Sequence, residues 1–136
     1  MQAIFDESLV TGNDLIDEQH KELIGKINDL VKSCETGKEK TTAVKMLDYL
    51  SDYTDFHFSA EEKLQDEIGY PQISEHKEQH KAFIQAIKEL YEMLQEEEGP
   101  TPAFVAAVDK NVTEWLFKHI KGFDKAVAEY ARTTAN

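Results

Sequence analysis

The chain has 136 residues, of which 40% are hydrophobic and 31% are charged, and this is the composition of one ordinary globular domain. Its formal net charge of -12 disfavours binding to nucleic-acid phosphates and to anionic membrane surfaces. Its apolar runs are shorter than the roughly 20 residues that span a bilayer, and its first residues do not resemble a secretory signal. We therefore expect a cytoplasmic protein that binds neither nucleic acid nor membrane.

The chain starts with a predicted arm over residues 1–14, whose apolar residues show too little periodicity for a helix. Four side chains are expected to pack this arm onto the rest of the protein: Ile4, Phe5, Leu9 and Val10. The first helix is predicted over about 17–36, and Gly37 is a suitable left-handed cap. Cys34, the only cysteine, lies on the apolar stripe of this helix, so we expect a buried thiol, with a redox or metal-binding role as the alternative.

The second and third helices are separated by a clear break. The second is predicted over about 42–67 and ends at Gly69-Tyr70-Pro71, because proline cannot continue the helical hydrogen bonds. The third is predicted over about 74–98, with Ser74 as its N-cap. Its apolar stripe comprises Phe83, Ile84, Ile87, Leu90, Tyr91 and Leu94.

The fourth helix is predicted over about 101–131, after a break at Gly99-Pro100. Thr101 is its expected N-cap and Pro102 its first helical residue. Four helices of about 20 to 30 residues with short connections predict an all-α fold, an antiparallel up-down-up-down four-helix bundle with an N-terminal arm. No linker or internal repeat divides the chain, so we expect a single domain over residues 1–136.

All five histidines fall on the apolar side of a predicted helix, and every helix carries at least one of them. They are His20, His57, His76, His80 and His119. Two carboxylates join them. Glu61 follows His57 by four residues, which is about 40° around a helix, so both share one face. Asp124 follows His119 by five residues, about 140°, so the helix must be distorted there or Asp124 must approach from the flank; Gly122 makes a distortion easier.

Taken one at a time, these residues have ordinary interpretations: an inward histidine is usually part of the core, Glu61 could pair with a lysine, and Asp124 could be a solvated acid. Together they favour a metal site. Burying unpaired carboxylates costs several kcal/mol each, and a metal ion removes that cost by accepting their lone pairs. Five imidazoles and two carboxylates are too many ligands for one ion.

A coordination count suggests how two ions could share these ligands. If both carboxylates bridge the ions, together with a solvent-derived oxo or hydroxo group, three histidines complete six-coordination at one ion. Two histidines then leave the other ion with an open position, as ligand-binding metals need. Imidazole with carboxylate suits iron, although this ligand set also accepts other transition metals.

Four stretches resemble the hemerythrin family, and most closely its bacterial members: IDEQHKEL around His20, HFSAEE from His57, GYPQISEHKEQH ending at His80, and WLFKHIKGFD ending at Asp124. The resemblance covers nearly the whole chain and implies a single hemerythrin-like domain that holds two iron ions with an oxo or hydroxo bridge. It implies His76, His80 and His119 at one iron and His20 and His57 at the other. Glu61 and Asp124 would bridge them.

The resemblance also implies a function, the reversible binding of dioxygen for storage, delivery, transport or scavenging, by a binding protein and not an enzyme. Azide, peroxide and nitric oxide are further expected ligands, and we expect a monomer. Four apolar residues are candidates to keep the ligand pocket dry, or are simply core: Leu23, Phe58, Leu116 and Ile120.

Three other functions stay open. The chain could be an oxygen- or redox-sensing domain of a signalling protein. It could instead reduce peroxide or nitric oxide, with Tyr53, Tyr70 or Tyr91 as proton donor. Finally, it could be a metal-free bundle that serves only protein interactions.

Overall fold

The computed structural model describes residues 4–36, 40–96 and 100–134. Three uninterrupted helices come first: α1 (Asp14–Thr36), α2 (Lys40–Ile68) and α3 (Ile73–Glu96). A fourth helical rod over 102–134 consists of five consecutive segments: α4 (Pro102–Val108), a first π segment (Asp109–Glu114), α5 (Trp115–His119), a second π segment (Ile120–Asp124) and α6 (Lys125–Thr134). A short 3-10 turn, Glu7–Leu9, precedes them in the arm.

The four rods pack side by side around one core. α1 contacts α2, α2 contacts α3, α3 contacts α4 and the first π segment, and these segments also contact α1, which closes the ring. The predicted all-α four-helix bundle is thus confirmed, and no strand occurs in 4–36, 40–96 or 100–134. Within these same ranges, every helix is too short or too polar to cross a membrane.

The core contains the apolar stripes expected from the helical periodicity, with one error in α3. Phe83 and Leu90 are 1% exposed, whereas Ile84 is 45% exposed. Ile84 lies about 100° around the helix from Phe83, which takes it off the inward face of α3. Instead it lines a groove between α2 and α3 with a volume of about 230 Å³.

The arm and the lone cysteine partly match their expectations. Leu9 is 1% exposed and Phe5 is half-buried against the core, but Ile4 and Val10 face solvent, so the expectation that they pack was wrong. The arm touches the bundle at its 3-10 turn, which contacts the second π segment. Cys34 is buried, and its burial raises the pKa of the thiol.

α1 begins at Asp14, three residues before the predicted start, because Asn13 caps the helix. The Ile16 N–H donates to Asn13 Oδ1 at 3.0 Å. Asp17 instead holds the arm, since its carboxylate accepts hydrogen bonds from Thr11 N–H at 2.9 Å and Oγ1 at 2.7 Å. Gly12 between them has a φ of +92°, a conformation that favours glycine.

The other helix ends follow turn chemistry. Gly69, with a φ of +65°, ends α2, and the Tyr70 N–H reaches back to the Gln65 carbonyl at 2.9 Å. The expectation that Ser74 is an N-cap was wrong, because α3 begins one residue earlier, at Ile73. Thr101 caps α4 by accepting from the Phe104 N–H at 3.1 Å. The predicted Gly37 cap and Gly99 break lie outside the described residues.

Buried residues recur every four positions along the fourth rod. They are Phe104, Val108, Val112, Leu116, Ile120, Asp124 and Ala128. In a regular α-helix each four-residue step drifts by about 40°, so six steps would carry this stripe about 240° around the rod. The two π segments close wider turns and offset that drift. They therefore keep one face of the rod towards the core.

Candidate metal centre

The structure brings all seven candidate ligands into one interior cluster. They come from every rod: His20 from α1, His57 and Glu61 from α2, His76 and His80 from α3, His119 from the end of α5, and Asp124 from the end of the second π segment. Each is at most 2% exposed. Burial of seven ionisable side chains without solvent requires that they partner one another or an ion.

The second π segment explains how Asp124 reaches the cluster. Its wider i→i+5 turn brings a residue close to the one five positions before it, so His119 Nε2 and Asp124 Oδ1 lie 3.1 Å apart. Of the two alternatives that the five-residue spacing left open, the structure shows the local distortion of the helix. Gly122 within it has no neighbouring atom within 4 Å of the position of a Cβ, so space does not require a glycine here.

The ligand atoms form two groups that share both carboxylates. One group consists of Glu61, His76, His80, His119 and Asp124, and we call it the three-histidine side. The other consists of His20, His57, Glu61 and Asp124, and we call it the two-histidine side. Within each group the ligand atoms lie within 4.8 Å of one another. Two ions bridged by Glu61 and Asp124 fit this arrangement.

Spacing on the three-histidine side suits a single ion. Two ligand atoms that lie ~2.1 Å from an ion and at right angles are about 3.0 Å apart. His76 Nε2 lies 2.9 Å from His119 Nε2 and 3.0 Å from Asp124 Oδ1. Glu61 Oε1 lies 2.9 Å from His76 Nε2 and 3.1 Å from His80 Nε2. One ring proton cannot bond well to several of these neighbours, whereas one ion can.

The two-histidine side is more loosely arranged. His20 Nε2 lies 2.8 Å from Asp124 Oδ2, but His57 Nε2 lies 3.9 Å from Glu61 Oε2. The rings of His20 and His57 meet edge to face, with centroids 4.8 Å apart. This side thus offers fewer protein ligands and wider spacing than the three-histidine side.

Unpartnered polar atoms concentrate at this cluster. Eight buried side-chain atoms of the described residues lack a hydrogen-bond partner, and seven of them belong to candidate ligands. Among these are both oxygens of Asp124, Oε2 of Glu61 and Nε2 of His20 and His57. Such atoms are uncommon in a folded interior, because leaving each without a partner costs about 1–3 kcal/mol. Donor types, burial and unsatisfied atoms together fit a pair of transition-metal ions.

Electrostatics within the cluster keeps both carboxylates ionised. Burial opposes ionisation of Asp124, but the His119, His20 and His76 imidazoles hold its pKa well below the usual value. Burial and Asp124 likewise oppose ionisation of Glu61, and close imidazoles lower its pKa. A carboxylate must be ionised to bridge two cations, so this environment suits metal binding.

The pKa values of His57, on the two-histidine side, and His76, on the three-histidine side, shift in opposite directions. Burial lowers the pKa of His57 to about 4, so its ring is neutral and free to donate a lone pair. Burial also opposes protonation of His76, but the Asp124 and Glu61 carboxylates close to its Nε2 outweigh that effect and raise the pKa to about 9. The position between these two carboxylates therefore favours a positive charge.

Three polar side chains hold the outward nitrogens of the histidine rings, and sequence reasoning missed all three. His57 Nδ1 donates to Gln19 Oε1 at 2.6 Å, and His80 Nδ1 donates to Glu62 Oε2 at 2.8 Å. The Gln65 amide nitrogen lies 3.0 Å from His76 Nδ1. A signal existed for Gln65, which lies four residues after Glu61 and shares its face; the other two directly adjoin ligands and have no helical signature.

The orientation of the Gln65 amide is itself informative. Its Oε1 is buried and has no partner. Turning the amide by 180° would place Oε1 against His76 Nδ1, where it accepts the ring proton. This pairing leaves the Nε2 lone pair of His76 facing the cluster, as metal ligation requires.

Aromatic and aliphatic side chains enclose the cluster. Phe58 stacks on His80 with centroids 3.8 Å apart, and His119 stacks against Trp115 at 4.6 Å and Phe123 at 5.3 Å. The other three predicted pocket residues, Leu23, Leu116 and Ile120, are at most 1% exposed. Aromatic rings therefore cover the faces of His80 and His119, and the three aliphatic candidates lie in the core.

Comparisons with known proteins give a consistent result. A family model described as hemerythrin HHE cation binding domain matches residues 11–131. Bacteriohemerythrin of Stenotrophomonas maltophilia is 32% identical over 133 residues, which are 98% of this chain and 84% of that protein. The hemerythrin-like protein of Naegleria gruberi is 31% identical over 120 residues, 88% of this chain and 86% of that protein.

A solved structure agrees with these sequence relatives. The crystal structure of wild-type hemerythrin superposes with a TM-score of 0.82 at 25% identity, covering 96% of this chain and 98% of that one. The similarity therefore extends over the whole bundle and includes the segments that carry the candidate ligands.

Proposed function

The chain belongs to the hemerythrin family, as its motifs predicted, and on that premise we propose that it binds dioxygen reversibly at a non-haem di-iron centre. The observation that carries this proposal is the division of the buried cluster into two ligand groups that share both carboxylates. A site for one ion would not need two groups, and a metal-free core would not leave its carboxylate oxygens unpartnered.

In this proposal each candidate residue has one role. His76, His80 and His119 would hold one iron, and His20 and His57 would hold the other. Glu61 and Asp124, which belong to both ligand groups, would be shared by the two irons. The two-histidine side offers one protein ligand fewer, so dioxygen would bind on that side.

When bound, the ferrous pair supplies the electrons that dioxygen takes up on binding and returns on release. The protein contributes by positioning the histidine rings and by excluding water. Gln19 and Glu62 fix the rings of His57 and His80 with Nε2 towards the centre. Buried Leu116 and Ile120 keep water away, because water and anions promote loss of the bound ligand.

One contact favours binding over peroxide or nitric oxide reduction. Tyr91, a candidate proton donor, already donates its hydroxyl hydrogen to Asp48 Oδ1 at 2.5 Å. Burial and Asp48 raise the pKa of Tyr91, so it is a poorer acid than an ordinary tyrosine. This argues against Tyr91 as a proton donor for reduction. Our finer proposal is storage, delivery or scavenging of oxygen by a cytoplasmic monomer.

The test is spectroscopic. Protein loaded with iron and reduced anaerobically should hold about two irons per chain, develop a visible charge-transfer band in air, and lose it on deoxygenation. Colourless protein with less than about one iron per chain would contradict the di-iron proposal. Irreversible oxidation after a single exposure would favour sensing, and sustained peroxide turnover with an electron donor would favour an enzyme.

A further inference from the structure

One turn of α2 holds the His80 ring from three directions. Phe58 stacks on its face with the two planes only 5° apart. Glu61 Oε1 lies 3.1 Å from Nε2, on the side of the cluster. Glu62 Oε2 accepts the Nδ1 hydrogen at 2.8 Å on the opposite side. His80 is thus fixed in position and in tautomer by three residues within five positions of one helix.

Three of the histidines contact a polar side chain through Nδ1, the nitrogen that faces away from the cluster, and we call that side chain the outer partner. The outer partner of His80 differs in charge from the other two. Gln19 at His57 and Gln65 at His76 are neutral amides, whereas Glu62 is a carboxylate. Among the residues that the structure describes, His20 Nδ1 and His119 Nδ1 have no partner. The Glu62 carboxylate is 30% exposed and therefore remains in contact with solvent, while the His80 side chain is 2% exposed.

A carboxylate acceptor pulls the Nδ1 hydrogen towards itself and raises the electron density on the ring. The ring then donates more strongly through Nε2, which stabilises a more highly charged metal. The neutral amides at His57 and His76 orient their rings without this added charge. The outer partners therefore make the three-histidine side electrostatically different from the two-histidine side.

We propose that Glu62 is a positioning residue that sets the redox asymmetry of the centre, by holding His80 through a charged hydrogen bond and favouring the ferric state on the three-histidine side. This inference rests on the proposed di-iron function. It assigns to the second glutamate of HFSAEE a role separate from metal ligation, since Glu61 alone faces the cluster.

Two opposite substitutions test the sign of the effect. E62Q keeps an acceptor for Nδ1 and removes the charge, so the oxidation equilibrium should shift about tenfold towards the ferrous state, which is ~59 mV upward for a one-electron couple. Q65E places a new charge against His76 and should lower the potential. Potentials are measured by anaerobic redox titration of iron-loaded protein, with iron content determined on the same samples.

The control is E78Q on the exposed side of α3, where Glu78 is 71% exposed and pairs with Lys81. It should leave both the potential and the iron content unchanged. An unchanged potential in iron-loaded E62Q, or shifts of the same sign in E62Q and Q65E, would overturn the inference while leaving the di-iron function intact. A wild-type chain that takes up no iron would instead overturn the proposed function.

Discussion

At the scale of single residues, the site was predicted from which residues share one face of a helix. This reasoning cannot predict contacts between neighbouring helices. His57 and Glu61 could be placed together from sequence because a four-residue step returns to the same face. Gln19 and Glu62 could not, because each adjoins a candidate ligand and points elsewhere on its helix. Their contacts depend on the distance to a neighbouring helix, which periodicity does not contain. The ligand assignments themselves stay predictions until a metal is bound.

The first prediction concerns His80. The substitution H80A removes one of three imidazoles from the three-histidine side and leaves Glu62 and Glu61 without this partner. We expect iron content to fall to at most half of the wild-type value. The thermal midpoint should also fall, because truncation of a buried, hydrogen-bonded side chain typically destabilises by about 2–4 kcal/mol.

Its control is K81A, at the next position on α3, where the lysine is 72% exposed and pairs with Glu78. Exposed pairs of this kind contribute less than about 1 kcal/mol, so K81A should keep its iron and its thermal midpoint. An H80A protein with two irons and full colour would show that His80 is not a ligand.

At the scale of elements, the fourth rod shows why the sequence predicted one distortion and missed the other. The five-residue step from His119 to Asp124 was visible because both ends carry chemistry. The first π segment, Asp109–Glu114, has no such marker. Its only trace in the sequence is that buried apolar residues recur every four positions. Ordinary helical spacing alternates between three and four residues, so this small difference is easily missed.

The second prediction tests whether the second π segment needs its glycine. A Cβ at Gly122 meets nothing within 4 Å, and the same is true of Gly25 in the regular helix α1. Both G122A and G25A should therefore stabilise the protein by about 0.5–1 kcal/mol, measured by chemical denaturation, because alanine loses less backbone entropy on folding. Destabilisation by G122A alone would show that the π turn depends on glycine.

At the scale of the whole molecule, the fold was predictable because four long amphipathic segments with short connections have few compact solutions. The helix ends were less predictable, because local caps and turns, and not the apolar stripe, determine where α1 and α3 begin. The candidate ligands come from all four rods, so a bound metal pair would tie the four rods together. Stability and metal binding are then linked.

The third prediction follows from that link. Chelation of iron should lower the thermal midpoint, because it restores a cluster of buried groups without partners. An excess of metal at 100 times its dissociation constant stabilises the native state by ~2.7 kcal/mol, which is several degrees for a chain of this size. Calorimetry of metal-free and reloaded protein measures the difference. Identical midpoints would mean that metal is not held by the folded core.

The repeat of four along the fourth rod has a consequence for how this chain can change over evolutionary time. Each π segment sets the rotation of the residues that follow it around the axis of the rod. The stretch from His119 to Asp124 spans the second π segment. A one-residue deletion there would turn the downstream stripe by about 100°, moving Val127 and Ala128 out of the interior. The last rod is therefore intolerant of length variation, and insertions or deletions in relatives should accumulate in the connections between rods.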